Sequence, residues 1–361
     1  MKNMKSKNIK NYIKQNKMQL LFRAVLSLFV IFTFLLVFFL CDGISYFKYR
    51  DIVTECSNNE LEVHFIDVGQ GDATLIKFPN EKTMLIDTGE GSESDKLINY
   101  ISKFLNLHSI NTLDYLVLTH SDSDHVGGTK TLTENFNIGL VFRPKCLSVS
   151  ESMIDSDSSF NVFDTATYEE AISSLYDNQI EMKYFQSGIS FYEGNVLIEF
   201  LSPTKDNYSN SNNYSAVIKM SYNGKSFLFT GDAEIEVENE LVDLYGSELD
   251  VDVLKVSHHG SKSASSENFI NLVSPTFACI SVGVDNQYNL PNQDVLDRLN
   301  NVGSEIITTS QNGSFAISVN QNILQVHYLT NYAVDFSILI VVFGVIIVVI
   351  WGIKLPKSKK K

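Results

Sequence analysis

The sequence predicts a mixed α/β or α+β domain lying between two membrane-spanning helices. Short apolar, β-branched runs recur between residues 60 and 328, and helical stripes of apolar residues separate several of them. Two long apolar segments, 20–41 and 333–353, predict the two helices. The 361 residues leave room for one large domain between these helices.

The N-terminal segment is expected to anchor the chain in a membrane. Residues 1–19 form a basic tail, and the apolar segment 20–41 that follows is long enough to cross a bilayer as a helix. A cleavable signal peptide is the alternative interpretation. The bulky residues Phe39 and Leu40 oppose it, because a cleavage site has small residues there.

The C-terminal segment 333–353 is a second predicted span, with Trp351 at the position of an interfacial aromatic anchor. A buried helix or strand is the alternative, which the basic tail at 354–361 opposes. Lysines flank the outer ends of both spans, so the positive-inside rule places both termini in the cytoplasm. The sequence therefore predicts a two-pass protein of the cell membrane whose domain is extracytoplasmic.

The charge distribution limits the partners of that domain. The net charge is −14 although lysines crowd both termini, so the segment between them is strongly acidic. An acidic body repels polyanions, which counts against extended nucleic-acid binding but not against a cleft that takes one phosphate at a time. The cysteines show no Cys-x-x-Cys spacing, and a disulfide between Cys56 and Cys146 stays open.

The elements of the domain are predicted from apolar periodicity and turn residues. The first strands are expected at 61–68, 72–78, 84–89 and 113–118, with a helix at 96–107 and an exposed insertion at 148–164. Strands follow at 196–201, 215–222 and 226–230, then a helix at 233–246 and a strand at 251–256. The last elements are helices near 266–273 and 293–301 and strands at 276–282, 305–309, 314–319 and 323–328.

The stretch THSDSDHVGG, residues 119–128, is the strongest functional signal. It follows the predicted core strand 113–118 and brings two imidazoles and two carboxylates into one loop. Mixed imidazole and carboxylate ligands suit zinc, manganese or iron. The alternative is a solvated acidic turn with incidental histidines. The candidate metal ligands here are His120, Asp122, Asp124 and His125.

This stretch resembles the His-x-His-x-Asp-His motif of the metallo-β-lactamase superfamily, with Asp122 replacing the middle histidine. Together with FIDVGQGDATLI (65–76), it resembles the hydrolase domain of ComEC-type competence proteins, and the likeness covers residues 60–328. The other matching motifs are LIDTG (85–89), FLFTGD (227–232), VLKVSHHGS (253–261) and ISVG (280–283). The resemblance implies an αββα sandwich, in which helices cover the outer faces of two mixed sheets.

The resemblance also assigns roles to residues. It implies that Asp232 bridges two metal ions and that one histidine of the pair His258–His259 ligates metal, with His258 favoured and His259 contacting substrate. Asp87 is expected to support the ligand loop through hydrogen bonds, and Asp67 and Asp72 to shape the cleft. Six residues are thus expected as ligands of one or two Zn²⁺ or Mn²⁺ ions: His120, Asp122, Asp124, His125, Asp232 and His258.

Two departures from the family pattern bear on activity. The sequence between His125 and His258 contains no histidine, so one metal site lacks its usual imidazole. Leu290, in NQYNLP, stands where ComEC-type domains have a histidine. Two predicted spans cannot form the multi-span channel of such proteins, so we do not expect this chain to act as a complete DNA importer.

The expected activity is metal-assisted hydrolysis by a metal-bound hydroxide, with Asp124, Asp232 and His259 as catalytic residues. A phosphodiester is the favoured substrate, and DNA, a lipid headgroup and a wall polymer remain alternatives as its source. The bond itself has alternatives in a phosphomonoester or a lactam. A non-catalytic surface or scaffold module with a degraded site is the competing hypothesis, which the missing histidine at Leu290 supports.

Overall fold

The computed structural model describes residues 2–40, 43–44, 51–54, 56, 60–154, 161–329 and 336–352. The chain divides into two compact units, residues 51–330 and the two terminal segments 1–50 and 331–361 together. Cys41 and the predicted basic tail at 354–361 lie outside the described residues, as does part of the predicted insertion at 148–164.

The described helices and strands are numbered in chain order. The helices are α1 (Lys2–Leu40), α2 (Ser94–His108), α3 (Ser123–Val126), α4 (Thr129–Asn135), α5 (Val149–Ile154), α6 (Ala166–Asp177), α7 (Ile235–Tyr245), α8 (Glu267–Val273), α9 (Gln293–Asn301), α10 (Thr309–Asn312) and α11 (Phe336–Gly352). The strands are β1 (Leu61–Phe65), β2 (Thr74–Lys77), β3 (Thr83–Ile86), β4 (Thr112–Val117), β5 (Asn137–Arg143), β6 (Cys146–Leu147), β7 (Asn161–Val162), β8 (Glu181–Tyr184), β9 (Ser190–Glu193), β10 (Val196–Ser202), β11 (Val217–Tyr222), β12 (Lys225–Phe229), β13 (Val253–Lys255), β14 (Phe277–Ile280), β15 (Glu305–Thr308), β16 (Phe315–Asn320) and β17 (Ile323–Tyr328).

The terminal unit is a pair of apolar helices. The segment Asn16–Leu40 of α1 is long and apolar enough to span a membrane, whereas α11 is apolar but shorter over the part described. The two helices contact each other: Nη1 of Arg23 donates to the carbonyl oxygen of Trp351 at 3.0 Å, and Nε1 of Trp351 donates to Oγ of Ser27 at 3.2 Å. The N-terminal span is thus supported by the helix length, and the C-terminal span stays a prediction.

The domain unit contains two large mixed sheets. The eight-stranded sheet has the order β17-β16-β1-β2-β3-β4-β5-β8, and the seven-stranded sheet has the order β15-β14-β13-β12-β11-β10-β9. Strands β3, β4, β5 and β8 run parallel, as do β12, β13, β14 and β15. Because neighbouring parallel strands end at the same edge of a sheet, each sheet presents several loops at one edge.

Alternating side chains of the strands build the layers of the domain. Phe65 in one sheet and Phe227 in the other belong to the apolar core between the sheets. Leu254 points the opposite way and packs with Leu241 of α7 and Phe269 of α8 on the outer face of the seven-stranded sheet. Helix α2 covers part of the other outer face. The predicted mixed α/β fold is therefore confirmed.

Individual elements follow the predictions closely where the periodicity is strong. The helix predicted at 233–246 is α7, and Gly246 with φ +49° follows it. The hairpin predicted at Asn223–Gly224 joins β11 and β12, and both turn residues have positive φ. Strands β5, β8 and β9 and helix α6 were not predicted. Cys56, Cys146 and Cys279 are free thiols, so the structure does not contain the Cys56–Cys146 disulfide that the sequence left open.

Candidate metal centre

Three loops at the ends of parallel strands bring the candidate residues together. The loop after β4 carries His120 and leads into α3, while Asp232 follows β12 and a 3-10 turn with the pair His258–His259 follows β13. Backbone hydrogen bonds connect the two sheets here: the amide of Ala216 donates to the carbonyl oxygen of Thr119 at 3.1 Å. The site therefore forms where the carboxyl ends of strands from both sheets meet.

His120, His125 and Asp232 form the buried centre of the site. Their ligand atoms lie within 4.8 Å of one another, and all three side chains are almost fully buried. Nε2 of His125 is 3.2 Å from Oδ1 of Asp232, and Nε2 of His120 is 4.0 Å from Oδ2. Neither these nitrogens nor Oδ1 of Asp232 has a hydrogen-bond partner among the residues described. Unpartnered buried polar atoms are costly, so their convergence suits a cation between them.

A second group shares His125. The ligand atoms of Asp124, His125 and His259 also lie within 4.8 Å of one another. Nε2 of His259 donates to Oδ2 of Asp124 at 3.1 Å and lies 3.7 Å from Oδ2 of Asp232. Nδ1 of His259 donates to the carbonyl oxygen of Ser281 at 2.8 Å, which fixes the orientation of the ring.

The electrostatics of the cluster favour the binding of positive charge. Burial alone would lower the pKa of His259, but the facing carboxylates of Asp232 and Asp72 raise it to about 10. His125 is likewise buried, and the carboxylates of Asp232 and Asp87 raise its pKa well above the usual range. Burial would raise the pKa of Asp124, yet its hydrogen bond from His259 lowers it to about 2. Carboxylates that hold protons on imidazoles so strongly would also attract a divalent cation.

Asp87 supports the centre without facing it. Its Oδ2 accepts a hydrogen bond from Nδ1 of His125 at 2.7 Å, and its two oxygens also accept from the amide and the hydroxyl of Thr119. The bond fixes the tautomer of His125 and turns its Nε2 towards Asp232. The structure thus places Asp87 against the ligand loop, and the supporting role that the resemblance implied for it stays a prediction.

Lys255 is a site residue that the sequence analysis missed. It is 3% exposed and forms an ion pair with Asp72, whose other oxygen is 3.4 Å from Nδ1 of His259. Burial would raise the pKa of Asp72, but the ammonium of Lys255 and the imidazole of His259 hold it well below its usual range. A lysine within the apolar run VDVLKV was the available signal, because a lysine in a central strand needs a buried anionic partner.

The remaining predicted residues lie at the rim or outside the centre. Nε2 of His258 is 3.7 Å from Oδ2 of Asp232, and its side chain is 26% exposed. Asp122 is 40% exposed, with Oδ2 3.8 Å from Nε2 of His120. Asp67 does not join the cluster: its Oδ1 accepts from the amide of Gly69 at 3.1 Å and stabilises the turn after β1.

A cavity of about 380 Å³ is lined by five of the predicted site residues, Asp122, Asp124, Asp232, His258 and His259. Four further side chains complete its wall: Gln70, Ser261, Tyr288 and Leu290. A cavity of about 500 Å³ lies elsewhere, beside Glu151 and Tyr176, and contains none of the predicted ligands. The chemistry therefore points to the smaller cavity as the reaction space.

The backbone around the cavity is tightly constrained. His258 and His259 both have positive φ, +49° and +52°, a conformation that is uncommon for non-glycine residues and strained for bulky ones. Gly71 has φ +136°, and a Cβ there would lie 2.4 Å from the carbonyl oxygen of Asp124. Gly71 thus allows the turn after β1 to pack directly against the ligand loop.

Comparison with known proteins identifies the family of the domain. Residues 66–145 match the sequence profile of the Metallo-beta-lactamase superfamily. ComE operon protein 3 of Bacillus subtilis (strain 168) is 32% identical over 72% of this chain and 33% of its own length. Competence protein ComA of Neisseria gonorrhoeae is 30% identical over 76% of this chain and 34% of its own length. This chain therefore spans about a third of the length of these relatives.

One solved structure aligns with part of this chain. The metallo-beta-lactamase fold protein YhfI from Bacillus subtilis aligns with a TM-score of 0.46 at 11% identity, over 72% of this chain and all of that one. The profile match and the sequence relatives carry the assignment, together with a site rich in metal-ligating side chains. The chain contains a metallo-β-lactamase superfamily domain homologous to part of the ComEC-type competence proteins.

Proposed function

We propose that this chain is a membrane-anchored, metal-dependent hydrolase that acts on phosphodiesters. One observation carries the proposal: buried nitrogens of His120 and His125 and an oxygen of Asp232 converge without hydrogen-bond partners among the residues that the structure describes. In a purely structural cluster these buried atoms would have hydrogen-bond partners. The fold of the family, which implies one or two divalent ions, supports the same conclusion.

We assign the ligands to two groups that share Asp232. The first contains His120, Asp122 and Asp232, with His258 at its rim, and its inter-residue distances are 3.7–4.0 Å. The second contains Asp124, His125, His259 and Asp232. Here we depart from the sequence-based preference for His258, because the buried His259 is the histidine whose Nε2 contacts Asp124. In this assignment His258 completes the first group.

The two groups differ in burial, because each offers two imidazoles and two carboxylates. In the second both imidazoles are buried, whereas in the first His258 is 26% exposed and Asp122 is 40% exposed. Ligand sets of this kind accept Zn²⁺ and Mn²⁺. We therefore propose a tighter site at the second group and a weaker site, which is open to solvent, at the first.

The proposed chemistry is hydrolysis in the cavity above Asp232. A divalent ion bound by these ligands would supply Lewis acidity, which lowers the pKa of water and stabilises the negative charge of the transition state. Asp232 and His259 hold the ions, and Asp124 orients the attacking water through its second carboxylate oxygen. The hydroxyl of Ser261, which lines the cavity, donates a hydrogen bond to a non-bridging phosphate oxygen.

The names of the sequence relatives and the net charge of the chain support a phosphodiester substrate. Two relatives are named for competence or its operon, which favours a DNA-related role. The net charge of −14 disfavours binding along an extended nucleic acid, so we propose that one phosphodiester enters the cavity at a time. A lipid headgroup or a wall polymer also offers a phosphodiester bond.

The membrane arrangement is also a proposal. The segment Asn16–Leu40 and the apolar α11 support two spans, with a catalytic domain of residues 60–328 between them. The lysines outside both spans favour cytoplasmic termini and an extracytoplasmic domain. A reporter enzyme fused after Lys361 tests this topology. Activity of a cytoplasm-specific reporter is expected, and activity of an exterior-specific reporter would contradict it.

The competing function is a scaffold module with a degraded site, which Leu290 in the cavity wall favours. A substrate panel separates the two. The full-length protein in detergent, supplied with Zn²⁺ or Mn²⁺, is assayed on bis-p-nitrophenyl phosphate, p-nitrophenyl phosphate and a chromogenic β-lactam. We expect turnover of the diester above that of the monoester and the lactam. Metal binding without turnover of any of them would favour the scaffold.

A further inference from the structure

A second group of titratable side chains is buried on the far face of the eight-stranded sheet. In β1, Val63 and Phe65 point into the core between the sheets, whereas Glu62 and His64 point the opposite way, beneath helix α2. Glu62 and His64 are both 0% exposed. An ionised carboxylate is expensive to bury, so these residues require strong partners.

The spacing of three side chains fits a metal ion. The ligand atoms of Cys56, Glu62 and His64 all lie within 4.8 Å of one another. Nε2 of His64 is hydrogen-bonded to Oε2 of Glu62 at 3.2 Å, and Nε2 of His108 is 3.9 Å from the same oxygen. Zinc bonds of about 2.0–2.3 Å at tetrahedral angles separate ligand atoms by roughly 3.3–3.8 Å. Small movements would therefore let Cys56, Glu62 and His64 exchange this hydrogen bond for bonds to an ion, and His108 would move further to supply a fourth ligand.

Hydrogen bonds fix the second polar atom of His64 and of Glu62. Nδ1 of His64 and the hydroxyl of Tyr100 share a hydrogen bond of 2.8 Å, and Oε1 of Glu62 accepts from Nζ of Lys77 at 2.9 Å. Ligating histidines and carboxylates are typically oriented by such bonds to their second polar atom. Here the bonds turn Nε2 of His64 and Oε2 of Glu62 towards each other.

We propose that Cys56, Glu62 and His64 bind a Zn²⁺ ion, with His108 as the fourth ligand, at a structural site separate from the hydrolase centre. Zinc accepts thiolate, imidazole and carboxylate ligands, and a shell closed by four protein ligands leaves no position for a substrate. The ion ties Cys56 to strand β1 and helix α2.

Zinc binding requires the Cys56 thiol to lose its proton. Burial and the nearby carboxylates of Glu62 and Glu60 raise the pKa of the Cys56 thiol, so the thiol keeps its proton in the absence of a cation. Zinc displaces that proton to solvent and forms a Zn–S bond, and no electron is transferred. Lys77 stays on the outer oxygen of Glu62 and offsets the charge of the two anionic ligands.

Cobalt substitution tests the proposal in the full-length protein in detergent. A thiolate ligand gives Co²⁺ an intense near-ultraviolet charge-transfer band, which imidazole and carboxylate ligands do not. The candidate hydrolase ligands include no cysteine, so the band does not arise from that centre. We expect the band in the wild type, its loss in Cys56→Ser and its retention in Cys146→Ala, which removes a buried thiol elsewhere in the domain.

A second variant separates this site from the hydrolase. The double variant Asp124→Ala/His125→Ala should lose metal at the hydrolase centre and keep the thiolate band. In His64→Gln the band should need at least about tenfold more Co²⁺, since an N ligand is removed. Absence of the band in folded wild-type protein would overturn the proposal. So would a band that persists in Cys56→Ser, and an ordinary Lys77–Glu62 ion pair would then explain the cluster.

Discussion

Oδ2 of Asp87 accepts a hydrogen bond from Nδ1 of His125 at 2.7 Å, and this bond decides which imidazole nitrogen faces the metal centre. Asp87 itself has φ +61° and is completely buried, so its carboxylate is held in one position. The ligand loop is therefore preorganised from the adjacent strand β3 rather than by the ligands alone.

Replacing Asp87 tests that relationship. Asp87→Asn preserves the shape but weakens the charge-assisted bond to His125, so metal affinity should fall by about 10–100-fold. Chelator competition on the full-length protein measures the affinity. Asp252→Asn is the matched control, because Asp252 accepts from the amide and hydroxyl of Ser226 in the same way without contacting a ligand. Equal losses in both variants would contradict the positioning role.

The Lys255–Asp72 ion pair should contribute strongly to stability. Lys255→Met leaves the buried Asp72 carboxylate without its cation, and breaking a buried pair in this way costs about 3–5 kcal/mol. Urea unfolding followed by near-ultraviolet circular dichroism, in chelator, measures the free energy of unfolding. The double variant Lys255→Met/Asp72→Asn should be less destabilised than Lys255→Met alone.

Lys130→Met provides the contrast for that experiment. Lys130 pairs with Glu170 at 2.7 Å, but both side chains are more than half exposed. Its removal should change the unfolding free energy little, because exposed pairs are screened by solvent. If Lys255→Met were as mild as Lys130→Met, the Lys255–Asp72 pair would not be a structural element of the site.

Metal binding should release protons at neutral pH. The raised pKa values of His125 and His259, about 10 for the latter, mean that both rings are protonated in the empty site at pH 7. Only neutral imidazole ligates metal, so binding at this pH displaces about two protons, one from each ring. The number of protons released should fall as the pH rises through these pKa values, and metal affinity should increase with pH.

Calorimetry in buffers of different ionisation enthalpy counts those protons. The Cys56→Ser variant is the appropriate protein, because the proposed structural zinc site would release a further proton from the thiol. A heat of binding that is independent of the buffer would contradict the protonated state of both histidines.

Leu290 offers a gain-of-function test. It lines the cavity beside Tyr288 and stands where the resemblance places a histidine. Leu290→His should supply a hydrogen bond to a charged phosphate oxygen, worth about 1.5–3 kcal/mol, and lower KM by roughly 10- to 100-fold. Leu290→Met keeps an apolar side chain and should leave KM near the wild-type value. No difference between the two variants would show that position 290 does not contact the substrate.

Much of the fold follows from local sequence patterns. The motif strands β3, β4, β12 and β13 are apolar runs that end in polar ligands, so their positions and the loops after them were predictable. Strand β8 was not, because EMKY is largely exposed at the edge of the sheet and has no apolar alternation. Edge strands carry a weak hydrophobic signal, since one side of the strand faces solvent.

The site was predictable in residue type but less so in geometry. The cluster of His120, His125 and Asp232 follows from motif residues at strand ends. The roles of His258 and His259 could not be separated from the sequence. Two successive positive-φ conformations bury the ring of His259 and leave that of His258 partly exposed, and the sequence does not reveal these conformations. Lys255 was missed because its partner Asp72 is distant in sequence, and only the paired sheets bring them together.

The most direct test of the central claim combines metal content with turnover. Purified full-length protein and its Asp124→Ala/His125→Ala variant are loaded with Zn²⁺ or Mn²⁺, analysed for bound metal and assayed on bis-p-nitrophenyl phosphate. The proposed hydrolase predicts bound metal and diester hydrolysis in the wild type, with the loss of the hydrolase-centre ion and of turnover in the variant. A folded wild-type protein without metal-dependent turnover, or a variant that is as active as the wild type, would contradict it.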